Sequence, residues 1–426
     1  MIKKVKACYR PQRKEATLFE KKVVFTFLFL LLPIFDMING FLVVGGYISA
    51  GGLASPSQLG RLIATAILLF VSYRYKLNII WAVIVVYPLC VEVIAGFIHL
   101  NDYGFLFGVM SSYKLIYLFF MCLVLSFYCQ KPADISLLAW FLKLNLLMIS
   151  CSLVFSLITG LGNETYGYGF GTKGFFASGN GIGVYMGVCS LIMLGFKQYG
   201  LYQNVRSSTL VFFAIATAII GSKTALVFSL ILLFLLVWYS KYRYLAMIIT
   251  IILFIWGLPK LIEVFTVVFD IVIKRYELSE SLLAFLGSGR VNFVEEALDI
   301  FYGQESIVTR LIIGSGAFLS FQNPLHVSAY DTLETDIFDI LFMYGIVGVT
   351  VYLLFFIRLT FLLKHYVIFL LAAVLLFIHS LVAGHVIFNG LSVFVIAILR
   401  VLGRYLSQSQ TSRDYNVRKV NNFKEN

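Results

Sequence analysis

Apolar segments of about twenty residues follow one another along almost the whole chain, and they restrict the fold more than any other feature. A transmembrane helix needs about 20 consecutive apolar residues to cross a hydrocarbon core of about 30 Å. Of the 426 residues, 60% are hydrophobic and 13% are charged, whereas soluble domains carry about 25% charged residues. The composition excludes a soluble enzyme, a coiled coil and a disordered chain, and it predicts an all-α integral membrane protein.

Twelve apolar runs are candidate transmembrane helices. The runs at 208–220 and 224–240 are separated only by Gly221-Ser222-Lys223, and one continuous helix of that length would reach about 50 Å, well beyond the hydrocarbon core. Two short helices that meet at a turn are therefore predicted there. The full set of predicted spans is 23–46, 59–75, 77–100, 114–130, 135–160, 179–198, 208–220, 224–240, 244–258, 335–357, 366–384 and 386–403.

Lysine and arginine are concentrated at alternate ends of these runs. Cytoplasmic loops of membrane proteins collect such residues, and most of them lie inside when both termini are placed in the cytoplasm. Inner basic clusters can hold anionic lipid headgroups, which explains the net charge of +12 without nucleic acid as a partner. The predicted order is a basic cytoplasmic tail at 1–22, helices at 23–258 with an outer loop at 161–178, one large extracytoplasmic loop domain at 259–334, helices at 335–403 and a second basic tail at 404–426.

Two carboxylates, Asp36 and Glu92, interrupt the apolar runs. A charge in the hydrocarbon is costly, so each is a candidate functional group. One interpretation is structural: the carboxylate is hydrogen-bonded to a neighbouring helix, or it is paired with a basic group such as Lys143 or Lys114. The other interpretation is a role in proton coupling. The sequence leaves both open.

Three cations on the expected outer side stand beside glycines. They are Lys173 in GTKGFFASGN, Lys223 in GSKTAL and Arg290 in GSGRVNF. Glycines let a ligand approach the backbone and expose N–H groups, and a group of cations suits a diphosphate. Each cation alone can equally be a side chain that extends to the membrane interface. Together they predict an anion site at the outer leaflet.

These segments, in this order, resemble the O-antigen polymerase and ligase superfamily of integral membrane glycosyltransferases over about residues 160–350. GFFASGN, at 174–180, is similar to the family's Gly-x-Phe-x-Asn-x-Asn signature, with Ser178 where Asn is common and Asn180 at the final position. GSKTAL is similar to the family's Ser-Arg-(Thr/Gly)-Ala turn. Lys223 replaces the usual arginine there, which keeps the charge but loses the bidentate fork.

Three later segments complete the resemblance. SGR at 288–290 and LIIGSGAF at 311–318 are similar to the family's SGR and Gly-x-Gly pair. ETDIFDILFMYGIVG, at 334–348, is similar to the segment in which ligases carry a histidine eleven residues before a glycine; counted back from Gly345, that position is Glu334. The glutamate favours a polymerase over a ligase. His326 lies further upstream, and it either folds back into the site or lies on the surface of a loop.

The resemblance implies a bacterial polysaccharide polymerase of the cytoplasmic membrane, which joins polyprenyl-diphosphate-linked oligosaccharides at the outer face in O-antigen, capsule or exopolysaccharide synthesis. Arg290, Lys223 and Lys173 would neutralise the diphosphate leaving group without a metal or other cofactor, and Glu334 would orient or deprotonate the acceptor hydroxyl. A flippase and chain-length regulator proteins are the expected protein partners. The expected substrate-binding set is Lys173, Gly174, Phe176, Asn180, His326 and Asp336.

Three other functions remain open at this point. A ligase would transfer the finished glycan to its final acceptor. A flippase or secondary transporter would need a central polar path, and transporters commonly have related halves, which this sequence lacks by inspection. A binding or scaffold protein would not need three outer cations. The pattern of lipid-linked glycans in cells without the protein distinguishes the first two from a polymerase.

Overall fold

The computed structural model describes residues 15–48, 55–77, 83–99, 102–166, 170–241, 307–317, 335–384 and 386–424, together with isolated positions between 243 and 301 and at 333. Within these residues the chain is mostly helical, with one two-stranded sheet. Six helices are long and apolar enough to cross a membrane, and shorter apolar helices accompany them. An all-α membrane protein is thereby confirmed, whereas the count of twelve spans and the loop domain at 259–334 stay predictions.

The helices are α1 (Leu18–Thr26), α2 (Leu32–Val44), α3 (Pro56–Arg74), α4 (Val83–His99), α5 (Asp102–Tyr128), α6 (Pro132–Thr159), α7 (Gly179–Gln198), α8 (Ser207–Ile219), α9 (Lys223–Trp238), α10 (Ile307–Ile313), α11 (Asp336–Leu363), α12 (Val367–Val382) and α13 (Gly390–Lys424). A π-helical turn, Phe27–Leu31, joins α1 to α2 in one apolar span of 27 residues. Strands β1 (Glu164–Tyr166) and β2 (Phe170–Thr172) pair antiparallel, with Glu164 opposite Thr172.

Helix α7 lies at the centre of the bundle. Its side chains are buried on every side from Gly181 to Phe196, as expected for a helix that is apolar all round. Glycines let neighbouring helices approach it closely. A side chain at Gly187 would overlap Phe228 of α9, and one at Gly195 would overlap Phe369 of α12. The hairpin loop before α7 is therefore attached to a helix that its neighbours enclose on all sides.

Helices α8 and α9 form a short antiparallel pair. The Ser222 hydroxyl caps α9 by accepting from the N–H of Ala225 at 3.2 Å, and Ser229 of α9 donates to the Ala214 carbonyl of α8 at 2.8 Å. The prediction of two helices rather than one kinked helix between 208 and 240 is confirmed.

The two ends of the bundle differ in their charged contacts. At one end, called the basic end, Lys21 pairs with Asp134 at 2.6 Å and Arg74 pairs with Glu20 at 2.7 Å. Lys143, in the middle of α6, extends toward this end and donates to the Asn204 carbonyl at 2.9 Å. The opposite end, called the hairpin end, carries the β1–β2 hairpin and the α8–α9 turn.

Helix α11 is broken at Gly345, where φ is 65° and ψ is −168°. Only glycine adopts such angles readily. The segment after α10 packs into the break, because Ser315 donates its N–H to the Phe342 carbonyl at 3.1 Å and Gly316 donates to the Met343 carbonyl at 3.0 Å. Two of the three later segments of the family resemblance, 311–318 and 334–348, are thus in direct contact through their described residues.

Candidate functional site

The Lys173 loop and the α8–α9 turn lie against each other at the hairpin end. Thr165 in β1 donates its hydroxyl to the Ile220 carbonyl at 2.6 Å. Gly171 in β2 has φ of 74°, and a Cβ there would come within 2.5 Å of the same carbonyl oxygen. Gly183, near the start of α7, leaves room for Ser222 and Ala225, each 3.0 Å from its missing Cβ. The first two segments of the family resemblance therefore form one local structure.

The ammonium group of Lys173 is half-buried in this structure, and among the described residues it has no hydrogen-bond or ion-pair partner. Its backbone is held in place, since its N–H donates to the Asn163 carbonyl at 2.9 Å. Burial lowers the pKa of Lys173, because partial removal from water disfavours the charged form. An anionic ligand would offset that cost, so Lys173 is the best-defined candidate for an anion contact.

Lys223 lies at the first residue of α9, directly after the capping Ser222, and its side chain is exposed. The positive end of the helix dipole disfavours a cation at this position. Helix stability therefore gives no reason for a lysine here, whereas an anion close to the turn would interact favourably with both the ammonium group and the helix N-terminus.

Three other predicted residues follow Lys173 in the chain. Gly174 has φ of 59°, and its carbonyl accepts from the Asn163 N–H at 2.6 Å, so it turns the loop. Asn180 is half-buried in the first turn of α7. Phe176 requires a correction: its ring is 2% exposed and packs in the apolar core. Because it is buried, the ring has no face open to a sugar. The Asn163 amide holds the loop against α2 by donating to the carbonyls of Phe176 and Gly40.

Asp336, expected to bind substrate, is completely buried at the start of α11. Its carboxylate accepts from the N–H groups of Val386 at 3.0 Å and Ile387 at 3.3 Å, and from the Ser380 hydroxyl. Tyr352 in turn donates to Ser380 at 3.0 Å. These contacts attach the segment before α13 to the start of α11. Asp336 therefore positions backbone in this structure, and its role in substrate binding stays a prediction.

Arg61 is a charged residue that the sequence motifs did not single out. It lies in the second turn of α3, and its Nη2 pairs with Asp36 of α2 at 2.9 Å; Ser57 also donates to Asp36. The basic partner of Asp36 is therefore Arg61 and not Lys143, in agreement with the structural interpretation of this carboxylate. The guanidinium packs over Gly390, where a side chain would overlap Nε. The sequence signal was an arginine inside an apolar run, close after Pro56.

Glu92, the second intramembrane carboxylate, is 2% exposed and accepts from the Ala317 N–H at 2.9 Å. Gly108 of α5 leaves space for it, because a side chain there would overlap the carboxylate. Tyr87, also in α4, donates to the Ile313 carbonyl at 2.6 Å. Helix α4 thus holds the segment that packs into the break of α11, in agreement with the structural interpretation of Glu92.

Arg290, His326 and Glu334 lie outside the described residues, so their roles stay predictions. No group of three or more His, Cys, Asp or Glu side chains that could hold a metal ion occurs in the described part of the chain. Comparison of the chain with protein-family models and with curated proteins finds no match. The functional assignment therefore depends on the residues and contacts described above.

Proposed function

We propose that the protein is a membrane polysaccharide polymerase. It transfers a growing glycan from its polyprenyl diphosphate to a sugar hydroxyl of the next lipid-linked repeat unit. The bond between the anomeric carbon and the phosphate oxygen breaks, a glycosidic bond forms, and the proton of the acceptor hydroxyl passes to a base. The half-buried Lys173 ammonium beside the Lys223 turn carries the proposal, because it has no counter-ion among the described residues.

Charge stabilisation is the chemistry that this site would supply. The leaving diphosphate gains negative charge as its bond to the sugar breaks, and cations held in place beforehand lower the free energy of that transition state. Lys173 is held by its loop and Lys223 by the helix that it begins. Arg290 would be a third cation, and Glu334 would orient or deprotonate the acceptor hydroxyl.

We place the hairpin end at the outer face of the bacterial cytoplasmic membrane, with both termini inside. The support is the position of Lys21, Arg74 and Lys131 at the opposite end, where each pairs with a carboxylate, since basic residues collect on the cytoplasmic side. The lipid tails of both substrates would lie against the apolar helices. A flippase that delivers repeat units and a regulator of chain length are the protein partners that this reaction would require.

The test of this function is the pattern of lipid-linked glycans on a gel. Cells that lack the protein should accumulate single repeat units without a ladder, and the wild-type protein should restore the ladder. Lys173→Ala should lower the polymerisation rate by about 10²-fold or more, as expected for loss of one group that stabilises transition-state charge. Lys143→Ala is the matched control, because this lysine contacts the Asn204 carbonyl at the basic end; it should restore the ladder fully.

Each other pattern contradicts the proposal in a different way. A full ladder that is not attached to its final acceptor indicates a ligase. Repeat units trapped on the inner leaflet indicate a flippase. Unchanged glycans in cells without the protein exclude all three functions.

The pH dependence of polymerisation is expected to depend on Lys173. Burial lowers its pKa, so the ammonium loses its proton at a lower pH than an exposed lysine, and activity should fall as the pH rises through that lowered value. Lys173→Arg should extend activity to higher pH, because a guanidinium cannot be deprotonated in proteins. Rates measured from neutral to alkaline pH in proteoliposomes test this. Lys223 is exposed, so Lys223→Arg should leave the fall in polymerisation rate at alkaline pH unchanged. If wild type and Lys173→Arg lose activity over the same pH range, the role of Lys173 is ruled out.

A further inference from the structure

A cluster of polar side chains lies between α2, α3 and α5, below the hairpin end. Its centre is the ion pair between Asp36 and Arg61 at 2.9 Å. Deeper in the bundle, the hydroxyls of Thr65 and Tyr113 bond to each other at 2.8 Å. Tyr117 follows on α5, with 1% of its surface exposed. So many polar groups are unusual within apolar helices, where each one is costly.

Four polar atoms of this cluster are buried without a hydrogen-bond partner among the described residues. They are Asn39 Oδ1, Gln58 Oε1, Arg61 Nε and the Tyr117 hydroxyl. The Tyr117 hydroxyl interacts electrostatically with Arg61, Tyr113 and Asp36, so it lies near the ion pair. Buried polar groups in native proteins almost always have partners, in the protein or in ordered water, so four unpartnered atoms in one region suit a polar ligand.

Helix geometry places these atoms in one column. Asn39 follows Asp36 by three residues, and Gln58 precedes Arg61 by three residues. Residues three apart share a helix face. Because α2 runs toward the hairpin end and α3 runs away from it, Asn39 and Gln58 both lie one turn nearer that end. Both are half-buried, so the column extends from the hairpin end to Tyr117 in the bundle interior.

We propose that this cluster binds the acceptor sugar of the lipid-linked repeat unit, an inference that rests on the proposed function. The unpartnered atoms are one donor, two acceptors and one hydroxyl that can do both. Sugar hydroxyls supply matching donors and acceptors. An anion fits less well, because the Asp36 carboxylate already neutralises Arg61 and would repel it. The ligand class is therefore a neutral, hydroxyl-rich unit rather than a second diphosphate.

The position of the cluster suits an acceptor. Gly40, one turn above Asp36 on α2, packs directly against the backbone of Phe175–Ala177, and its carbonyl accepts from the Asn163 amide at 3.3 Å. Asn163 in turn binds the backbone of Lys173. A sugar at Asn39 and Gln58 would lie beside the cation that holds the donor's diphosphate, as transfer between the two substrates requires.

The test is protection of a cysteine by a free oligosaccharide. A protein with Leu42→Cys as its single cysteine, at a half-buried position three residues beyond Asn39 on α2, is placed in lipid nanodiscs and labelled with a maleimide. The probe is the repeat-unit oligosaccharide, released from the cells' lipid-linked pool by mild acid, and inorganic pyrophosphate is the anion control. The oligosaccharide should slow labelling several-fold, and pyrophosphate should not.

Tyr117→Phe, which removes only the unpartnered hydroxyl, should abolish this protection and leave the thermal midpoint equal or higher. The control is Tyr128→Phe, at the buried tyrosine that ends α5. This variant should keep the protection. The inference is overturned if the oligosaccharide gives no protection, if pyrophosphate protects equally, or if Tyr117→Phe is still protected. If cells without the protein lack the glycan ladder but the oligosaccharide gives no protection, only the sugar site is ruled out. If those cells keep an intact ladder and protection depends on Tyr117, only the polymerase is ruled out.

Discussion

Arg61→Ala is expected to lower the free energy of unfolding by about 3–5 kcal/mol, because it leaves the Asp36 carboxylate buried without its counter-ion. The side chains of Arg61 and Asp36 are 15% and 7% exposed, so a lone charge there would be poorly solvated. Only the Ser57 hydroxyl would remain as a described hydrogen-bond donor to the carboxylate. Thermal or denaturant unfolding in detergent micelles measures the effect.

The matched control is Arg74→Ala, which breaks the pair between Arg74 and Glu20 at the basic end. Arg74 is 54% exposed there, and exposed ion pairs contribute about 0–1 kcal/mol. The double variant Arg61→Ala/Asp36→Asn should recover part of the loss, since it removes the uncompensated charge. If Arg61→Ala costs no more than Arg74→Ala, the Asp36–Arg61 pair is not a buried counter-ion pair.

Gly345→Ala is expected to destabilise the protein by about 3 kcal/mol or more. The angles at the break of α11 are essentially restricted to glycine, which alone costs about 1–3 kcal/mol for another residue. In addition, a Cβ at this position would overlap the Ile312 carbonyl oxygen. The segment from Gly314 to Gly316 would have to move out of the break, and its bonds to the carbonyls of Phe342 and Met343 would be lost.

Gly160→Ala separates the two causes of this loss. Gly160 ends α6 with φ of 67°, close to the 65° of Gly345, but nothing lies within 4 Å of its missing Cβ. Gly160 also has ψ of 4°, in the left-handed region that other residues adopt at a cost of about 1–2 kcal/mol. Gly160→Ala should therefore cost clearly less than Gly345→Ala in the same unfolding measurement. Equal losses would show that the packing of the 314–316 segment into α11 contributes little.

The sequence by itself determined the fold class and the short antiparallel pair of helices α8 and α9. Both follow from local properties. A helix satisfies its backbone hydrogen bonds within one segment, as a chain in hydrocarbon must. The length of each helix is limited by the hydrocarbon thickness. The sequence also singled out Lys173 and Lys223 as candidate anion contacts, because glycines mark the turns that carry them. Their chemistry stays a prediction, which depends on residue type and on the adjacent backbone.

Only the tertiary structure decided which side chains meet. Asp36 and Arg61 are 25 residues apart in the chain, and Asp336 accepts from N–H groups 50 and 51 residues away. Phe176 belongs to the expected substrate-binding set, yet its ring is buried in the core. Such contacts depend on which helices pack together and in what rotation. Helices that are apolar on all faces, such as α7, have little hydrophobic periodicity, so the sequence does not show which face packs against which neighbour. The partners of the buried charges were therefore set by helix packing, for which the linear sequence offers no local signal.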